Sequence, residues 1–185
     1  MRVFIAVPLY PGIDLESISA ELETTTAGLR MVKDRNRHLT LAFLGEVSEA
    51  QVRRLHGVLE QSLKGCMSFQ YSVMGIGAFP RRSSPKAIWC GLGEPGPWKV
   101  LHTRILEALR VVGISFDSSD FHPHITLARN PSGRCTDDLA RLFREEGESF
   151  FGQGMCKQVQ IVKSELGPSG PCYEVIGAVV LEDLA

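Results

Sequence analysis

Apolar residues recur along this chain at two spacings, and the spacings alternate. Residues 3–9 form a short, β-branched apolar run that reads as a strand. Leu15, Ile18 and Leu22 then fall three and four apart, so residues 14–22 read as a helix. Strand character returns at residues 38–43, and Val52, Leu55, Leu59 and Leu63 make the apolar stripe of a second helix. Ser48 and Gln51 precede that stripe at the spacing of a capping box, and residues 67–76 read as strand again.

The second half repeats the order. Residues 87–92 are a strand lying about as far before His124 as residues 3–9 lie before His38. Leu101, Ile105, Leu109 and Val112 mark a helix over 98–112. Thr136 is placed to cap another helix, carrying Leu139, Leu142 and Phe143. Residues 158–166 and 173–181 close the chain as strands, and Gly- and Pro-rich stretches at 91–97 and 167–171 mark turns. Each half reads β-α-β-α-β. The expectation is an α+β fold of two similar lobes, each a small, mostly antiparallel sheet with helices on its outer face, and a central cleft between them. Residues 1–185 make one bilobal domain on this reading, with repeat halves at approximately 1–86 and 87–185 and a boundary near 84–97.

The repeat is sharpest at one motif. His38-Leu39-Thr40-Leu41-Ala42 and His124-Ile125-Thr126-Leu127-Ala128 share one pattern. The His and Thr content alone predicts about 0.2 His-x-Thr triplets in a chain of this length, so two, each followed by Leu-Ala, are not chance. Alternate side chains of a strand share a face. His38, Thr40 and Ala42 therefore point one way and Leu39, Leu41 and Phe43 the other, and the second strand follows the same parity. The aliphatic face belongs in the core. The other offers an imidazole, a hydroxyl and a small alanine that leaves room for a ligand. Two imidazoles with ordinary pKa values near 6.5 suit proton transfer in both directions near neutrality. Opening a cyclic phosphodiester needs that chemistry: one His takes a proton from attacking water and the other gives one to the departing ribose oxygen. The Thr hydroxyls can donate to non-bridging phosphate oxygens. The arrangement calls for no metal and no cofactor.

Composition narrows the partners. Lys and Arg number 20 against 21 Asp and Glu, leaving a net charge of −1. That excludes a protein that coats nucleic acid electrostatically, though not one that grips an RNA end. Five scattered cysteines without a C-x-x-C pair suggest neither a zinc knuckle nor a disulfide framework, and fit a reducing compartment. The apolar opening is short and soon followed by Asp14 and Glu16, so it reads as a strand and not a signal peptide. No run approaches the length of a membrane span. A cytoplasmic monomer is expected.

Other side chains offer alternatives. His122 and His124 share strand parity and could hold a metal with His38, but no Asp, Glu or Cys completes a recognisable ligand set by sequence. Arg30, Lys33, Arg35 and Arg37, and separately Arg81, Arg82 and Lys86, could line the mouth of the cleft or simply be solvated loops. Phe121 or Phe43 could stack a base, though Phe43 has core parity. His56 and His102 fall beside helical stripes as boundary residues. A non-catalytic binder of RNA ends would need phosphate donors but not two symmetric proton carriers. An ATP-dependent ligase would need a phosphate-binding Gly-rich loop that the sequence lacks.

The sequence resembles the 2H phosphoesterase superfamily, and within it the bacterial and archaeal RNA 2′,3′-cyclic phosphodiesterases, also called 2′-5′ RNA ligase-like proteins. The likeness runs over nearly the whole chain. It is carried by Arg2-Val3-Phe4-Ile5-Ala6, His38-Leu39-Thr40-Leu41-Ala42-Phe43-Leu44-Gly45, Gly77-Ala78-Phe79-Pro80 and Phe121-His122-Pro123-His124-Ile125-Thr126-Leu127-Ala128-Arg129. The resemblance implies hydrolysis of a terminal 2′,3′-cyclic phosphate to a 2′-phosphate. It implies His38 as proton donor to the leaving oxygen, His124 as proton acceptor, and Thr40, Thr126 and Arg129 on the phosphate. Simple strand parity puts Arg129 on the face opposite His124, so its part requires a twist or strand end there. The substrate implied is RNA with a cyclic end, with small cyclic nucleotides as a second class, and a weak reversal joining RNA ends through a 2′-5′ bond.

Overall fold

A computed structural model describes residues 1–117, 120–167 and 170–183. Four helices occur among them, where the apolar spacing predicts them. Helix α1 (Glu16–Thr25) buries Ile18 and Leu22. It starts two residues later than the apolar spacing suggests, because the Asp14 carboxylate accepts the Glu16 amide at 2.9 Å and holds a turn ahead of the helix. Helix α2 (Glu49–Ser62) has the full capping box: Ser48 Oγ accepts from the Gln51 amide, and Gln51 Oε1 accepts from the Ser48 amide. Helix α3 (Pro95–Val112) begins earlier than expected, since Pro95 has no N–H to leave unpaired in a first turn. Gly113 ends it at φ +72°. Helix α4 (Asp137–Glu145) is capped by Thr136, whose Oγ1 accepts from the Leu139 amide at 3.2 Å. The same hydroxyl donates to the Thr25 carbonyl at 2.9 Å, tying the end of α1 to the start of α4.

The strands are β1 (Arg2–Pro8), β2 (Arg30–Met31), β3 (His38–Glu46), β4 (Phe69–Arg81), β5 (Ser84–Leu92), β6 (His124–Arg129), β7 (Phe150–Cys156), β8 (Gln158–Gly167) and β9 (Gly170–Val180). They join in one open sheet, ordered β7-β4-β5-β6-β3-β1-β8-β9, with β2 attached to β6. Every ladder between these strands is antiparallel. β7 carries no readable alternation. Two glycines interrupt it, and Gly154 is glycine because a Cβ there would lie 2.6 Å from the Tyr71 ring.

The sheet order exchanges strands between the sequence halves. β4 crosses over to pair with β5, while β8 and β9 return to complete the sheet begun by β1 and β3. The two sides of the sheet join where Leu39 pairs with Ile125, on strands β3 and β6. Leu39, Leu41, Ile125 and Leu127 feed the main core, which runs continuously through both sides and includes Trp98, Ile105 and Leu109 of α3. A second, small cluster of Phe4, Ala6 and Val162 packs with Tyr173. Cys90 and Cys156 are buried and unbonded, and burial raises both thiols to about 12.

Candidate active site at the meeting of β3 and β6

The seam puts the doubled motif together. The antiparallel pair Leu39–Ile125 sits between His38 and Thr40 on one strand and between His124 and Thr126 on the other, so the two motifs meet at one point. The histidines are close enough that the charge on His124 lowers the pKa of His38.

The backbone orients both rings alike. His38 Nδ1 lies 2.7 Å from the Asn36 carbonyl, and His124 Nδ1 lies 2.6 Å from the His122 carbonyl. A carbonyl can only accept, so Nδ1 carries the hydrogen and Nε2 is left to exchange a proton. Aromatic rings wall each imidazole. Phe4 stacks on His38 at 4.8 Å and Tyr173 meets it edge-on at 5.3 Å. Phe79 meets His124 edge-on at 5.0 Å, with Trp89 at 6.0 Å. A Cβ on Gly77 would collide with the Trp89 indole, so the bare glycine makes room for it. Burial behind these rings lowers both histidines below their usual 6.5. For His124, the Arg129 and His122 charges add to the fall.

Strand parity fails just beyond each Thr, and in the same way. The β1–β3 register passes from Ala6–Thr40 to Ile5–Ala42, and the β5–β6 register from Trp89–Thr126 to Ile88–Ala128. Leu41 and Leu127 are the extra residues of two matching bulges, and beyond a bulge the alternation is reset. Ala42 and Ala128, expected on the open face, are turned into the main core instead. Phe43, expected in the core, is 56% exposed and its ring lies 6.2 Å from Phe4. Arg129 comes back to the side of the histidines, where its charge adds to the burial that lowers His124 and partly offsets the burial that raises Tyr173. The bulge is the strand irregularity that brings Arg129 off the parity a regular strand would give it.

Several basic residues have structural duties. Arg37 is not at a cleft mouth. It is buried, 2.8 Å from the Asp34 carboxylate and 2.8 Å from Ser19 Oγ, and it secures the 3-10 turn Asp34–Asn36 that offers its carbonyl to His38. Arg82 donates to the Ile76 carbonyl and lies over the Phe143 ring, and Lys86 donates to the Pro131 carbonyl. Phe121 is stacked face to face on His102 at 4.1 Å. His122 is exposed beside Phe79. Among the described residues no three His, Cys, Asp or Glu side chains gather as a metal site. Phe4 and Phe79 stand in segments that carry the family likeness, but their packing on the imidazoles, like that of Tyr173 and Trp89, depends on pairing across the sheet that spacing alone does not give.

The sequence matches the 2′-5′ RNA ligase superfamily over residues 15–168. It is 32% identical over 176 residues to the RNA 2′,3′-cyclic phosphodiesterase of Methanothermobacter thermautotrophicus, covering 94% of this chain and 95% of that one. It is 30% identical over 178 residues to the protein of the same name from Thermotoga maritima, covering 95% and 93%. The fold matches TT0787 of Thermus thermophilus with a TM-score of 0.77 at 27% identity over the whole of both chains. It also matches E. coli LigT complexed with 3′-AMP, with a TM-score of 0.75 at 23% identity over 97% of each chain.

Proposed function

This chain belongs to the 2′-5′ RNA ligase superfamily, and we propose that it hydrolyses the 2′,3′-cyclic phosphate at an RNA end to a 2′-phosphate, using two histidines and no metal. The observation that carries this reading is the pair of imidazoles meeting at one seam, each with Nδ1 tied to a main-chain carbonyl and Nε2 free. The names of the relatives support the substrate.

In the reaction, water attacks phosphorus and its oxygen forms the new P–O bond. The bond to the ribose 3′ oxygen breaks. His124 Nε2 takes the proton that the water loses, and His38 Nε2 gives the proton that the 3′ oxygen gains. Burial lowers both imidazoles, and the Arg129 cation lowers His124 further, which favours for His124 the neutral state a base needs. Thr40 and Thr126 donate to the non-bridging oxygens, and Arg129 offsets the charge gathered on them. With an RNA 5′-hydroxyl in place of water, the same transfers form a 2′-5′ bond, weakly against water in excess. Exposed Phe43, leaning toward Phe4, is a platform for the terminal base.

The test is a short RNA ending in a 2′,3′-cyclic phosphate, incubated with protein in excess EDTA, with the position of the product phosphate determined. A 2′-phosphate, absent with His38→Ala and His124→Ala, is the expected result. A 3′-phosphate would reverse the leaving-group assignment, and activity that needs added metal would remove the two-histidine mechanism.

A further inference from the structure

The segment between α1 and β3 is strongly cationic for a chain of net charge −1. Within residues 30–37 stand Arg30, Lys33, Arg35 and Arg37 against the one acid Asp34. Asp34 is drawn to buried Arg37. Arg30, Lys33 and Arg35 are exposed, and none takes part in an ion pair among the described residues.

One of them is placed against the site. Arg30 pairs directly with Arg129 across β2–β6, and Met31 with Ala128. Side chains of directly opposed residues leave the sheet on the same face, about 4.5–5.5 Å apart at Cβ, and like charges so placed weaken the pairing. Packing does not account for the arrangement, because both side chains are exposed. The bulge at Leu127 turns Arg129 toward His124, so Arg30 leans over the same face one strand further from the imidazole. Lys33 and Arg35 continue the positive charge along the chain toward His38.

We propose that Arg30 binds the internucleotide phosphate next to the terminal nucleotide, with Lys33 and Arg35 extending the track, so that the site is built for the end of an RNA strand and discriminates against a free cyclic mononucleotide. This rests on the cyclic-phosphate reading, with Arg129 on the reacting phosphate and Arg30 on its neighbour. Two guanidiniums that repel each other on their own are held together by two adjoining phosphates. A cyclic mononucleotide with a 5′-hydroxyl gives Arg30 nothing to bind.

The experiment compares three probes ending in adenosine 2′,3′-cyclic phosphate: the mononucleotide with a 5′-hydroxyl, the mononucleotide with a 5′-phosphate, and a trinucleotide. Wild-type protein, Arg30→Gln and Arg30→Lys are assayed on each. Arg30→Gln is expected to lower the trinucleotide-to-mononucleotide ratio of kcat/KM by about tenfold, as loss of one charge-assisted contact does, mainly through KM. The salt dependence on the trinucleotide should become shallower by about 0.7 in log–log slope, one single-strand phosphate contact. Arg30→Lys should recover most of the ratio. A wild-type preference already complete with the 5′-phosphorylated mononucleotide would reduce the proposal to one phosphate and overturn the strand track. An unchanged ratio in Arg30→Gln, or equal losses on all probes, overturns it entirely. Wild-type protein inert on every probe would instead bring down the cyclic-phosphate reading, and this proposal with it.

Discussion

At each histidine the tautomer is set by the main chain and not by a carboxylate. The carbonyls of Asn36 and His122 accept the Nδ1 hydrogens from two residues back, so neither ring needs a charged partner to orient it. Removing either ring should therefore remove a proton carrier without unfolding the strand that bears it. His38→Ala and His124→Ala are each expected to lower turnover at least about a hundredfold, within the range for general acid–base groups. Unchanged thermal midpoints would show that the loss is chemical. Both imidazoles are held below 6.5, with burial the first cause in each. The kcat/KM bell of the free enzyme should accordingly lie on the acid side of 6.5, its alkaline limb marking loss of the proton from the general acid. A profile still rising through neutrality would contradict that. The linkage has a matching sign: the folded protein binds fewer protons at these sites than the unfolded chain, so stability falls as pH drops through the ordinary imidazole value. Arg129→Gln, which removes a positive neighbour, should raise the titration of His124 in an NMR pH series. His38, with no Arg129 contribution of its own, is the internal comparison.

Among the elements, the helices were the most legible in the sequence. Ser48 with Gln51, and Thr136 ahead of Leu139, announce helix starts because their side chains answer specific orphan amides. The two His-x-Thr strands were legible too, but only as far as Thr. Alternation assumes unbroken pairing, and one extra residue in each strand reverses it, which moved Ala42 and Ala128 inward and Phe43 and Arg129 outward. No residue type marks Leu41 or Leu127 as bulged; only the register against β1 and β5 does. β7 was hidden because Gly152 answers to a backbone φ of +132° and Gly154 to the Tyr71 ring instead of a side-chain pattern. Sequence offers Arg37 either a cleft mouth or a solvated loop, because charge usually means solvent, whereas Asp34 and Ser19 make its burial tolerable. Asp34→Ala should cost about 1–2 kcal/mol in denaturant unfolding, less than for a fully buried pair because the carboxylate itself is largely exposed. Gly77→Ala should be worse tolerated than its size suggests, since the new methyl displaces Trp89 from beside His124. Overpacking of that kind costs about 1–3 kcal/mol, read as a lower thermal midpoint.

Across the whole molecule, the repeat in sequence and the partition in space do not coincide. β1, near the start of the chain, is flanked by β3 and by β8, and the wall beside His38 includes Tyr173 from β9. A chain emerging from a ribosome therefore presents His38 before the β8–β9 hairpin that completes its pocket. Nor is β1 sheltered by β3 alone: its other edge stays open until β8 arrives. The molecule comes of age all at once. A prematurely stopped product, even one containing both histidines, would be a bystander among cellular RNA ends and not a weakened form of the enzyme.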